Sequence, residues 1–160
     1  MELHTKQLGN LGEMAVAADL IRNGYYVFTE LGDICKADLI VLDKDYNPIK
    51  VQVKTLTLKN GSFALQASKS GPNYRFRYDK RHADVFAVYV HERNTIAYIS
   101  SKELLQYQTL TIRVDATQNG QSKAVNWISN YSDFKRALRD CTQDTPPLSE
   151  GNEPVQTSKP

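Results

Sequence analysis

Asp38 opens an apolar run at residues 37–42, and Gln52 and Lys54 stand two apart in the alternating stretch 49–58 that follows a turn. Residues two apart on an extended strand project to the same side, so Gln52 and Lys54 point one way. A neighbouring strand that begins at Asp38 brings its carboxylate alongside them. A carboxylate, an amide oxygen and an ammonium group together can hold a hard divalent cation against a phosphate and offset the charge that develops when water attacks it. The chemistry these residue types support is phosphodiester hydrolysis. Alone, Asp38 reads as a strand-edge acid bonded to a turn amide, and Glu13 as an exposed helical acid. A helical Glu13 packed behind the strand ends would add a second carboxylate.

The elements that must position these groups follow from periodicity. Leu8, Leu11, Ala15, Ala18 and Ile21 recur at helical spacing over residues 5–23, with Gly24 as the stop and Glu13 about a quarter turn off the stripe. Residues 25–29 are rich in aromatic and β-branched side chains and read as a strand. Opening the next strand, 37–42, with a charge needs a reason, because an unpaired buried carboxylate is costly. Residues 43–48, ending in Asn47-Pro48, are turn chemistry and imply a hairpin to strand 49–58. Lys59-Asn60-Gly61 is a second hairpin signal, since Asn-Gly accepts the positive φ of a two-residue turn, with 62–67 as the return strand. Residues 84–90 and 96–99 read as further strands, Ser100 to Glu103 as a capping box before a short helix, 110–114 as a strand and 131–139 as a last helix.

Composition bounds the rest. A chain of 160 residues with 41% hydrophobic and 24% charged side chains fits one soluble domain. No apolar run approaches the roughly 20 residues that span a bilayer. The first residues lack the pattern of a secretory leader, so a cytoplasmic site is expected. Cys35 and Cys141 are far apart and fit neither a disulfide framework nor a zinc site. His4, His82 and His91 are scattered and take no catalytic role, and no Gly-rich phosphate loop or nucleophile elbow is present.

The order helix Glu, strand Asp, then polar-x-Lys on the next strand resembles the PD-(D/E)XK nuclease superfamily, here as Leu11-Gly12-Glu13, Ala37-Asp38 and Gln52-Val53-Lys54. Within it, the short chain, the Gln52-Val53-Lys54-Thr55 string and the basic insert that follows are similar to bacterial group I intron-encoded homing endonucleases. The resemblance implies an α/β, restriction-endonuclease-like fold: a mixed β-sheet core flanked by helices, with a basic β-hairpin or loop extension. It implies a single nuclease domain at residues 1–141, with a DNA-binding extension at about 56–82; residues 142–160 are expected to be a disordered tail on composition. It further implies a sequence-specific double-strand DNA endonuclease, with Glu13, Asp38, Gln52 and Lys54 catalytic. Glu13, Asp38 and Gln52 would hold Mg²⁺, for which Mn²⁺ could substitute. A homodimer or homotetramer, bacterial and nucleoid-associated on DNA, is expected. Two departures stand out. Ala37 replaces the motif's Pro, which changes little, and Gln52 replaces an acid, which holds a metal less strongly. Either Glu13 compensates, the reading favoured here, or the site is weakened. A Holliday-junction-type resolvase with the same chemistry and a catalytically decayed DNA-binding module are the alternatives.

DNA would be met by the basic stretch. Lys59, Lys69, Arg75, Arg77, Lys80 and Arg81 stand against one acid, Asp79, between Lys59 and Arg81. A two-stranded ribbon can enter the major groove. Arg75 and Arg77 share a face if extended, Gln66, Asn73 and Ser68 add base-reading groups, and Asn60 at the turn is counted with the DNA contacts. A charged loop solvated on any soluble protein is the plainer reading of such a run.

Overall fold

Three helices and nine strands are arranged in a computed structural model that describes residues 3–30, 32, 34–117 and 124–142. The expected tail at 142–160 lies outside the described residues apart from the end of the last helix. At the centre is a five-stranded mixed sheet in the order β1 (Tyr26–Thr29), β2 (Leu39–Leu42), β3 (Pro48–Leu56), β7 (Val85–Val90), β8 (Thr95–Ser100). The expected turn at Asp43 forms, its carboxylate accepting from the Asp45 and Asn47 amides, both at 2.9 Å. It sets β2 and β3 antiparallel with Leu39 opposite Val51 and Val41 opposite Ile49. β3 and β7 run parallel, Gln52 beside Phe86 and Lys54 beside Val88. All six residues of β7 are buried, as a strand covered on both faces requires.

Alternation along β3 divides the core in two. Ile49, Val51 and Val53 face one side, where α1 (Thr5–Arg22) and α3 (Phe134–Thr142) cover them with Val16, Leu20, Phe134 and Ala137. Phe86, Val88, Val90 and Ile99 face the other, under Tyr78, Phe63, Leu65, Leu104 and Ile112. Each fully buried Val or Leu of this kind contributes about 1.5–3 kcal/mol relative to exposure. α2 (Ser101–Tyr107) is capped as expected, the Ser100 hydroxyl accepting from the Glu103 amide at 3.1 Å.

Two local expectations are corrected. The helical stripe of α1 is rotated: Gly12, Val16 and Leu20 are buried, while Ala18 and Ile21 face solvent. Small apolar residues occur on several faces of this helix, so spacing alone does not select one. The Asn60-Gly61 turn does form, with φ of 51° and 75° and Lys59 and Ser62 exchanging backbone hydrogen bonds at 2.8 and 3.1 Å. The hairpin, however, stops at that bridge. β4 (Ser62–Gln66) leaves β3 and pairs antiparallel with β9 (Thr109–Arg113), where Phe63 and Leu65 join Leu110 and Ile112 in the core. A second ribbon, β5 (Ser68–Gly71) with β6 (Tyr74–Arg77), follows, and it is the basic hairpin extension expected from the sequence.

Candidate active site

The β2/β3 ladder extends one residue below β2: the Asp38 amide donates to the Val51 carbonyl at 3.0 Å. Asp38 is thereby brought against Gln52. Asp38 Oδ2 accepts from the Val53 amide at 2.6 Å and from Gln52 Nε2. Gln52 is only 2% exposed. Its Nε2 also donates to the Val53 carbonyl at 3.2 Å, and its Oε1 accepts from the Tyr78 hydroxyl at 3.0 Å. Burial raises the pKa of Tyr78, which keeps this hydroxyl a donor.

Lys54, two residues on, lies over the Tyr78 ring with Nζ 5.4 Å from its centroid. Burial first, then a hydrogen bond and positive charge from Lys69, lower its pKa to about 7, against the opposing pull of Asp38 and Glu13. Glu13 therefore acts electrostatically on the same ammonium group. It also lines, with Asp38, Lys6, Asn10, Thr29 and Glu30, an open cleft of about 420 Å³. A larger hollow of about 530 Å³ lies between β9 and α2, away from these groups.

The close approach of α1 to β3 is what puts Glu13 there. Gly12 packs directly on Thr55, whose hydroxyl donates to the Leu8 carbonyl at 3.0 Å. A Cβ at position 12 would fall 2.0 Å from Thr55 Oγ1 and 3.5 Å from the Cβ of Tyr89. Gly12→Ala is expected to cost about 1–3 kcal/mol, as overpacking does, and to slow any catalysis that uses Glu13, because the helix must back away. Urea denaturation beside a cleavage assay checks both; unchanged stability would mean that the contact relaxes freely.

A family model described as PD-(D/E)XK endonuclease matches residues 3–134. The chain belongs to the PD-(D/E)XK endonuclease family. Among solved structures, one titled as a bacterial homing endonuclease, I-Ssp6803I, is similar with a TM-score of 0.70 and 22% identity, covering 90% of this chain and 100% of that one. None of the curated proteins matches the chain. The resemblance read from the motif residues is thus borne out, and so is the restriction-endonuclease-like mixed sheet.

In this PD-(D/E)XK endonuclease the donor set suits a hard cation. Two carboxylates, Glu13 and Asp38, and the amide oxygen of Gln52 are all oxygen donors, the preference of Mg²⁺. Among the described residues no group of three His, Cys, Asp or Glu side chains could hold a metal, and the neutral amide oxygen of Gln52 is the third donor that this set offers. Gln52 directs its NH₂ to Asp38; ligation through Oε1 requires the reverse orientation of the amide. The Tyr78 hydroxyl, both donor and acceptor, can hold either end.

The expected DNA contacts divide by position. Lys59, Asn60, Gln66, Lys69, Asn73, Arg75, Arg77, Lys80 and Arg81 are all exposed, and they differ in which face they occupy and what they touch. The β5/β6 register sets Ser70 opposite Arg75 and Ser68 opposite Arg77, so the two arginines do share a face. Arg77 Nε donates to Gln108 Oε1 at 3.0 Å, and Arg81 turns back on Asp79, Nη2 to Oδ2 at 2.7 Å. Lys69 is on the opposite face of the ribbon, opposite Phe76, with Nζ 5.7 Å from the Tyr78 ring centroid. Sequence reasoning passed over Tyr78 and Glu30. Ring parity in Tyr74-Arg75-Phe76-Arg77-Tyr78 carries a signal for Tyr78, because every second residue is aromatic; Glu30, whose carboxylate accepts from the Ile34 and Cys35 amides at 3.2 and 3.0 Å, carries none.

Proposed function

We propose that this endonuclease makes sequence-specific double-strand breaks in DNA by Mg²⁺-dependent hydrolysis, with Mn²⁺ able to substitute, and that it serves intron homing. The observation that carries this reading is the convergence of Asp38, Gln52 and Lys54 beside one cleft that Glu13 also lines. When bound by Glu13, Asp38 and Gln52, the cation supplies Lewis-acid polarisation of the phosphate and acidifies a water. Lys54, partly withdrawn from solvent, sits where its ammonium can offset charge on the phosphate or, when neutral, accept a proton from the attacking water. Asp38 and Glu13 orient both partners, and Tyr78 keeps the Gln52 amide from rotating freely.

One such site cuts one strand, so a break in both strands calls for a homodimer or homotetramer. No helix among the described residues is long and apolar enough to cross a membrane. The orientation of Gln52, with its NH₂ toward Asp38, favours one second reading, a DNA-binding module with a decayed site. A selection for cleaved sites in a randomised duplex library, with Mg²⁺ and with EDTA, tests both: recovered ends that share a sequence and vanish in EDTA support the nuclease, and binding without ends supports the module.

Ribbon residues are expected to differ in their effect on affinity. Arg75→Ala should weaken DNA binding about tenfold and lower the salt slope by about one, as loss of a phosphate contact does. Arg81→Ala should change affinity by less than about threefold, because Asp79 already neutralises that guanidinium locally. Fluorescence anisotropy across salt concentrations reads both. Equal losses would place Arg81 on the DNA.

A further inference from the structure

The β5/β6 ribbon has two faces with different chemistry. Its register pairs Ser68 with Arg77 and Ser70 with Arg75 on one face, and Lys69 with Phe76 on the other. On the second face Phe76 is partly buried, while Lys69 stays accessible to solvent at its rim. Phe76 meets Tyr78 edge-on with ring centroids 5.0 Å apart, and meets His82 at the same distance. Lys69 therefore reaches the ring of Tyr78 at 5.7 Å, where Lys54 already lies at 5.4 Å, and a third cation, Lys36, lies 5.2 Å from the ring of Phe76.

Resting on the nuclease reading above, we propose that Lys69 is a second active-site cation, carried to the scissile phosphate by the same ribbon whose opposite face meets DNA. Two ammonium groups gathered over one ring repel each other. An anion between them removes that penalty. A phosphodiester under attack gains negative charge on its non-bridging oxygens, and one lysine beside a carboxylate pair balances little of it. Lys69 also acts electrostatically on Tyr78, whose hydroxyl donates to Gln52 at 3.0 Å, and Gln52 in turn donates to Asp38. The cation is thus tied through two side chains to the catalytic carboxylate. Because strand alternation fixes Lys69 and Arg75 on opposite faces of one short ribbon, seating Arg75 on DNA also sets the position of Lys69. Recognition and the cleavage step are coupled through the paired strands β5 and β6.

Two measurements test this. In single-turnover assays at saturating duplex with Mg²⁺, Lys69→Met should slow cleavage about 10²-fold, the loss typical of one charge-stabilising donor. DNA affinity should stay within about threefold, and Lys69→Arg should recover about tenfold of the rate. A wild-type rate in Lys69→Met, or a loss confined to affinity, overturns the proposal. Separately, metal-free protein with labelled lysine side chains is titrated with thymidylyl-thymidine, the simplest DNA phosphodiester. Lys54 and Lys69 signals should shift along one isotherm in the wild type; if Lys69 stays fixed, or neither moves, the two-lysine site is wrong. Should the wild type cleave no DNA, the nuclease reading fails, and the dinucleotide titration still decides whether the lysines form one anion site.

Discussion

Lys54→Met and Asp38→Asn should each lower the single-turnover cleavage rate by at least about 10³-fold while DNA affinity changes less than about tenfold. The two variants are chosen to keep the fold. Asparagine retains an oxygen for the Val53 amide that Asp38 Oδ2 now accepts at 2.6 Å, and methionine keeps the aliphatic contact with the Tyr78 ring. Lys54→Met carries a second, opposite expectation. Burial holds the Lys54 pKa down to about 7 from an ordinary 10.5, so the charged form is disfavoured in the native state. Between those values the unfolded chain binds a proton that the folded chain does not, and stability falls as pH drops from 10.5 toward 7. The methionine variant lacks this penalty. Measured without divalent metal, its stability advantage should grow as pH falls through that window and level off below about 7, with an upper limit of about 5 kcal/mol set by linkage for a pKa lowered from 10.5 to about 7. A variant that is both inactive and less stable at pH 7 would assign Lys54 to packing. Full activity in both variants would remove these residues from the chemistry altogether.

The parts of this site that can be read from the sequence are those fixed by local rules. Period-two alternation sends Gln52 and Lys54 the same way, and the Asp43 turn sets the register that brings Asp38 against Gln52; both hold in the structure. The parts that could not be read depend on which distant segments meet. Asn60-Gly61 makes its turn, but the returning strand pairs with residues 109–113, far along the chain, and only the folded structure reveals that. Lys69 follows from the same cause: its face is decided by where the β5/β6 ribbon docks, and a run of basic residues looks alike on either side. On α1, Ala15, Ala17 and Ala18 are too small and too evenly spread to mark the buried stripe. Gly12 marks it instead, because only an absent side chain lets the helix lie on Thr55.

Gln52→Glu, which restores the acid of the family motif, should destabilise the metal-free protein by about 2–4 kcal/mol, the scale of breaking a buried polar network. Gln52 is 2% exposed, and its NH₂ serves both Asp38 and the Val53 carbonyl. A carboxylate there can donate to neither, sets a second negative charge against Asp38, and leaves the Val53 carbonyl short of that donor. The Tyr78 hydroxyl can still donate to one of its oxygens, which limits the loss. Added Mg²⁺ or Mn²⁺ should then raise the melting temperature of the variant more than that of the wild type, since a cation that binds only the folded state stabilises in proportion to its affinity. Thermal melts in EDTA and in millimolar metal decide this, and equal shifts in the two proteins would place the cation out of reach of position 52. The expected pair of outcomes also explains an amide where an acid is the rule. Glutamate would bind the cation more tightly but make the sheet depend on it, whereas glutamine lets β2 and β3 close without metal and leaves the charge of the site to Asp38 and Glu13.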